Sequence, residues 1–101
     1  MNVEVLLPKV FNFSFTYNSN NILLKTGDLV EVPFGKNKET GVVWKYKNTK
    51  PNKNIKIKNV GKKIENYSIN ENLVDFIAWF SSYNIVPLGL ALKMAIGSKD
   101  N

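Results

Sequence analysis

Residues 27–43 constrain this chain more than any other stretch. Gly27 and Asp28 make a turn; Val30, Val32 and Phe34 then alternate with Glu31 and Pro33; Gly35 follows, and Val42 and Val43 come after a polar, lysine-bearing segment at residues 36–41. Period-two alternation is the signature of a strand with one buried face. Pro33 has no backbone donor, so it closes that strand or sits on a sheet edge. Gly35 has no side chain, so its backbone can turn sharply or let another molecule approach. The segment reads as strand, hairpin, strand.

The neighbouring segments continue the pattern. Val3, Val5 and Leu7 alternate before Pro8 interrupts, which marks a first strand. Phe11, Phe13, Phe15 and Tyr17 alternate with Asn12, Ser14 and Thr16, predicting a strand with one aromatic face in which Phe11 and Phe13 pack into the core. Residues 18–21 are a turn cluster. Val42, Trp44 and Tyr46 share one face of the next strand, with Val43, Lys45 and Lys47 on the other. Residues 48–54 hold no apolar side chain and read as a loop. Ile55 and Ile57 resume the alternation, but Val60 and Ile64 stand on the opposite parity, which predicts a bulge at Asn59 or Gly61.

After Ile64 the period changes. Ser68 and Glu71 have the spacing of a capping box. Leu73, Phe76, Ile77, Phe80 and Tyr83 follow at helical spacing, with Trp79 alongside; this aromatic face is expected to plug the sheet. Pro87 suits the first turn of a second helix and Gly97 its C-terminal cap. That helix is apolar nearly all round, so it wants covering by more protein, and a longer parent chain is expected. The fold class is mostly β with C-terminal helices: a small OB-related barrel over residues 1–66, two helices over residues 67–97, and a tail or linker start at 98–101.

Charge narrows the function. The chain has 101 residues, one domain's worth, with a net charge of +6 and neither cysteine nor histidine. Disulfides, thiol chemistry, histidine bases and Cys/His zinc sites are excluded. All 14 basic residues are lysine, and eleven of them lie in residues 25–63 against Asp28, Glu31 and Glu39. A/T-rich codons can inflate both Lys and Asn, but they explain this segregation poorly. A polyanion is the expected partner, nucleic acid first. Lysine without arginine suits phosphate contact rather than base readout in duplex DNA. Asp28, Glu31 and Glu39 read as ordinary turn and strand-surface charges. No apolar run approaches membrane-spanning length and no secretory pattern opens the chain, so a cytoplasmic protein is expected. There is no phosphate-binding loop, so the chain alone is expected to catalyse nothing.

In this order the pieces resemble a known family. The carrying residues are Val3 to Pro8; Phe15, Thr16 and Tyr17; Lys25 to Gly35; Thr40 to Val43; Ile57 and Lys58; and Trp79 to Tyr83 followed by Pro87, Leu88 and Gly89. The set is similar to the N-terminal DNA-binding domain of the primosomal replication-restart helicase PriA, over residues 1 to about 97. The resemblance implies capture of the free 3′ end of the nascent leading strand at a stalled fork. It implies a site of Phe15, Thr16, Tyr17, Gly35 and Lys58, with Lys36, Lys38 and Lys56 as phosphate contacts and Lys56 as a substitute for Lys58. Thr16 departs from members that carry an Asp there, and brings a hydroxyl without a charge. The implied partners are forked or single-stranded DNA with a free 3′ end, the remaining helicase domains, and other primosome or single-strand-binding proteins. ATP with magnesium, and zinc, are expected only in the helicase portion. Two other readings stay open: a general RNA-binding barrel, and an interaction adaptor docking through the helix of residues 87–96.

Overall fold

The computed structural model describes residues 1–46 and 57–97. Strands β1 (Asn2–Leu6), β2 (Phe15–Asn18), β3 (Asp28–Phe34), β4 (Asn37–Trp44), β5 (Lys58–Asn59) and β6 (Lys62–Ser68) precede helices α1 (Glu71–Asn84) and α2 (Leu88–Gly97). The strands form one sheet in the order β5-β2-β1-β4-β3-β6. All neighbours are antiparallel except β2 and β5. The two outermost strands, β5 and β6, are separated in sequence by Val60 and Gly61 alone. Val60 N–H donates to the Asn18 carbonyl and Gly61 N–H to the Glu31 carbonyl, both at 2.8 Å. The sheet therefore curls until one chain segment touches both of its edges, giving a small OB-like barrel. The parity change seen in the sequence falls where this segment leaves β2 for β3.

Two apolar layers result, one on each side of the sheet. Val5, Leu7, Tyr17, Val30, Val32, Val43 and Val60 fill the barrel. Leu6, Val42 and Trp44 point outward and are buried against Val74, Ile77, Ala91 and Leu92 of the helices. The unbroken apolar runs Val5-Leu6-Leu7 and Val42-Val43-Trp44 follow from this, because those strands are covered on both faces. Each fully buried aliphatic side chain contributes about 1.5–3 kcal/mol.

The hairpin is tighter than expected. Phe34 pairs with Asn37, so only Gly35 and Lys36 turn, and Gly35 takes a φ of +62°. Residues 37–40 belong to β4; their polarity reflects an exposed face rather than a loop. The pairing of β3 with β6 ends at Glu31, so the missing N–H of Pro33 costs that ladder nothing. Asp28 is not a surface charge: it is 2% exposed, and its carboxylate accepts from the Lys25 N–H at 2.9 Å, closing the turn.

Four further expectations are corrected. Phe11 and Phe13 lie outside any strand, and Phe13 is 42% exposed. Their segment is drawn to α2 instead: Gly89 N–H donates to the Phe11 carbonyl at 2.8 Å and Leu88 N–H to Asn12 Oδ1 at 2.9 Å. The cap of α1 is Asn70, whose side chain accepts from Leu73 N–H at 2.8 Å. Ser68 cannot serve, because it is still paired with Asp28 in the sheet. The aromatic face of α1 does not plug the barrel, which its own β side chains already fill. Val74, Ile77 and Ser81 are buried instead, while Phe76, Trp79 and Tyr83 are exposed and the last two stack at 5.1 Å. Helix α2 finds its cover within the chain: Ala91 and Leu92 are buried, and Lys93 and Met94 face solvent.

Candidate nucleic-acid interface

Strand β2 organises the candidate site. Phe15 is half-buried; its ring meets Phe11 at 5.3 Å, Phe13 at 5.1 Å and Phe34 at 5.3 Å between centroids. The group forms an edge-rich aromatic cluster between β2 and the β3–β4 turn. Tyr17 points into the barrel and is buried. Its hydroxyl donates to the Pro33 carbonyl at 2.8 Å, which ties β2 to the strand end just before Gly35. Burial pushes the Tyr17 phenol above its ordinary pKa, so it stays a neutral donor. Tyr17 thus positions its neighbours rather than offering a ring to a ligand.

Lys58 is exposed and pairs with Tyr17 in the parallel ladder. Among the described residues, the outer edge of β2 is paired only at Tyr17 and Asn18. Gly35 is exposed, with open space where a side chain would stand. Lys36 and Lys38 are exposed on the same hairpin. Phe15, Tyr17, Gly35 and Lys58 are therefore linked through Tyr17 and Phe34. Thr16 is not among them. It faces the outside of the sheet, where its Oγ1 donates to Glu4 Oε2 at 2.6 Å. Lys56 lies outside the described residues, as do the expected loop at 48–54 and Ile55.

Sequence reasoning passed over Glu4. Its outward parity between Val3 and Val5 was visible, but its partner depends on the β1–β2 register, in which Glu4 sits opposite Thr16. Also missed was the clasp between β4 and α1. Lys45 Nζ lies 2.7 Å from Asp75 and 3.4 Å from Glu71, and the Tyr46 hydroxyl donates to Asp75 at 2.5 Å. The bonds from Lys45, then Tyr46, hold the Asp75 carboxyl below its ordinary value; the Asp75 bond raises both Lys45 and Tyr46. A depressed carboxyl contributes stability above its unfolded value of 3.8, lost as pH falls through the folded value. Raised Lys45 and Tyr46 contribute below 10.5 and 10.0, lost at higher pH. Asp75→Asn will therefore flatten the acid limb of a melting-temperature profile below pH 4 and the alkaline limb above pH 10. An unchanged profile would show that the clasp carries no stability.

Among the described residues no cluster of acidic side chains could hold a metal ion, and no helix is long and apolar enough to cross a membrane. What the geometry defines is a small basic β-barrel with an aromatic, lysine-bearing strand edge. The family follows from comparison with known proteins. Residues 4–97 match the model of the 3′DNA-binding domain (3′BD) of PriA, and the chain belongs to that family of DNA-binding domains. It is similar to the replication restart protein PriA of Rickettsia felis (35% identical), of Rickettsia conorii (34%) and of Rickettsia prowazekii (33%). Each match covers 92% of this chain but only 14% of the relative's length.

Proposed function

We propose that this domain captures the free 3′ end of the nascent leading strand at a stalled fork, without reading sequence, and so targets a replication-restart helicase. The open edge of β2 carries the reading, because it gathers an aromatic ring, a bare backbone turn and lysines around one strand. Phe15 offers a stacking face, worth about 1–3 kcal/mol per base and tolerant of any base. Gly35 lets the backbone approach the terminal nucleotide. Lys58 pairs with a phosphate beside Tyr17, and Lys36 and Lys38 extend the phosphate track, with Lys56 as a further contact. Thr16 takes part from the other face of the strand. The domain supplies recognition and no catalysis; ATP with magnesium, and zinc, belong to the helicase portion of a longer parent. Its partners are forked or single-stranded DNA, those helicase domains, and primosome or single-strand-binding proteins, all in the cytoplasm.

Fluorescence anisotropy on two forks tests this. One carries a free leading-strand 3′-hydroxyl, the other a 3′-phosphate, each at two salt concentrations. The free end is expected to bind clearly tighter, and Lys58→Gln to reduce the log–log salt slope by about 1. Equal binding that fades with salt would leave only a basic phosphate-binding barrel.

A further inference from the structure

On the outer face of the sheet the Glu4 carboxylate is held by two side-chain hydroxyls. Ser14 Oγ donates to Glu4 Oε1 at 2.8 Å, and Thr16 Oγ1 donates to Oε2 at 2.6 Å. Ser14 is buried and Glu4 and Thr16 are half-buried. Two neutral hydroxyls thus fix a charged group in one orientation, and no lysine among the described residues lies within ion-pair distance of it. A carboxylate has about four acceptor positions. Two are used, so each oxygen keeps one free.

Glu4 also borders a groove. Glu4 and Thr16 form part of the wall of a cavity of about 630 Å³, completed by Lys25, Trp44, Lys45 and Glu71. That volume lies in the range that holds a small organic ligand, about 300–1,000 Å³. Lys45 is engaged with Asp75 and Glu71, whereas exposed Lys25 has no ion pair among the described residues. Glu71 on the same wall is paired with Lys45, whereas the Glu4 carboxylate has no lysine at ion-pair distance among the described residues and so selects by chemistry. It accepts strongly from a hydroxyl, because a bond to a charged acceptor is the stronger kind. It repels a phosphate placed at the same point.

We infer that Glu4 is the group that reads the free 3′-hydroxyl of the terminal nucleotide, with Lys25 taking the phosphate on that nucleotide's 5′ side. This rests on the end-capture reading above. Thr16 is then a positioning residue: it brings no charge of its own, but it orients one across the β1–β2 pair. The carboxylate comes from the facing strand.

The test uses the whole domain and forks ending in a 3′-hydroxyl, a 3′-deoxy sugar or a 3′-phosphate. The deoxy end removes the donor without adding charge. The unaltered domain is expected to prefer the hydroxyl over the deoxy end by about tenfold, the share of one charge-assisted bond. Glu4→Gln should abolish that preference and tighten binding to the 3′-phosphate fork. Thr16→Val should shrink the same ratio while leaving the charge in place; it keeps the inference testable if the glutamine variant fails to fold, and melting curves check both. If Glu4→Gln, or Thr16→Val in its place, retains the full hydroxyl preference, the Glu4 assignment is overturned while end capture stands. If the unaltered domain shows no preference at all, end capture itself fails and Glu4 with it.

Discussion

Replacing Gly89 with alanine will destabilise the domain by about 3 kcal/mol, although alanine is the better helix former by about 1 kcal/mol. Gly89 lies in the first turn of α2, pressed against the segment that follows β1. A Cβ there would stand 2.1 Å from the Lys9 carbonyl oxygen, 2.5 Å from that of Leu7 and 2.9 Å from that of Phe11. All three are backbone atoms, and the same segment is tied to α2 by the Gly89 N–H to Phe11 carbonyl bond. Nothing flexible can yield, so helix and loop must separate. That exposes Leu6, Ala91 and Leu92, which they help to bury. A loss of this size lowers the melting temperature by roughly 12–24 °C for a domain of this length. Gly35→Ala is the control. Its Cβ would meet open space, so only the φ of +62° opposes it, at about 1–2 kcal/mol. A Gly89→Ala protein that melts like the unaltered domain would refute the packing of α2 described above.

Phe15→Leu will weaken binding of a free 3′ end by about tenfold with little loss of fold. The substitution keeps an apolar side chain against Phe11, Phe13 and Phe34 but removes the π-face. Stacking of a base is worth about 1–3 kcal/mol, and 1.4 kcal/mol is tenfold in affinity. Phe15→Ala would lose the same stacking and also open the aromatic cluster, so the leucine variant separates recognition from packing. The check is anisotropy on the hydroxyl-ended fork beside a thermal melt. Full affinity in Phe15→Leu would show that Phe15 serves the cluster and not the ligand.

Much of the architecture was legible in local pattern. The alternation of Val3 and Val5, and of Val30 and Val32, marks inward faces wherever these strands pair. The change of period after Ile64 marks the passage from barrel to helices. Reading failed where a local pattern had two tertiary outcomes. Phe11 and Phe13 continue the alternation of Phe15 and Tyr17, yet the chain leaves the sheet before Phe15 because α2 offers that backbone other hydrogen bonds. Phe76, Trp79 and Tyr83 share a helical stripe with Phe80, yet only an arc centred on Val74 and Ile77 meets the sheet. Ser68 has the spacing of a cap but is claimed by β6.

Of the candidate site, the aromatic strand, the turn glycine and the lysines were nameable from residue type. Their arrangement was not. Tyr17 turned out to be a buried tie to Pro33, and Thr16 the partner of a carboxylate twelve residues earlier.

Periodicity and charge are properties of neighbours along the chain, so they determined that this would be a basic β-rich domain ending in helices, with strands at these places. Register and layering arise between distant segments. Only folding could decide that Glu4 lies opposite Thr16, that Val60 and Gly61 join both edges of the sheet, and that Leu6 faces helices while Val5 faces the barrel. The free energy that settles those choices is burial and hydrogen bonding across the sheet, which no local window of residues contains.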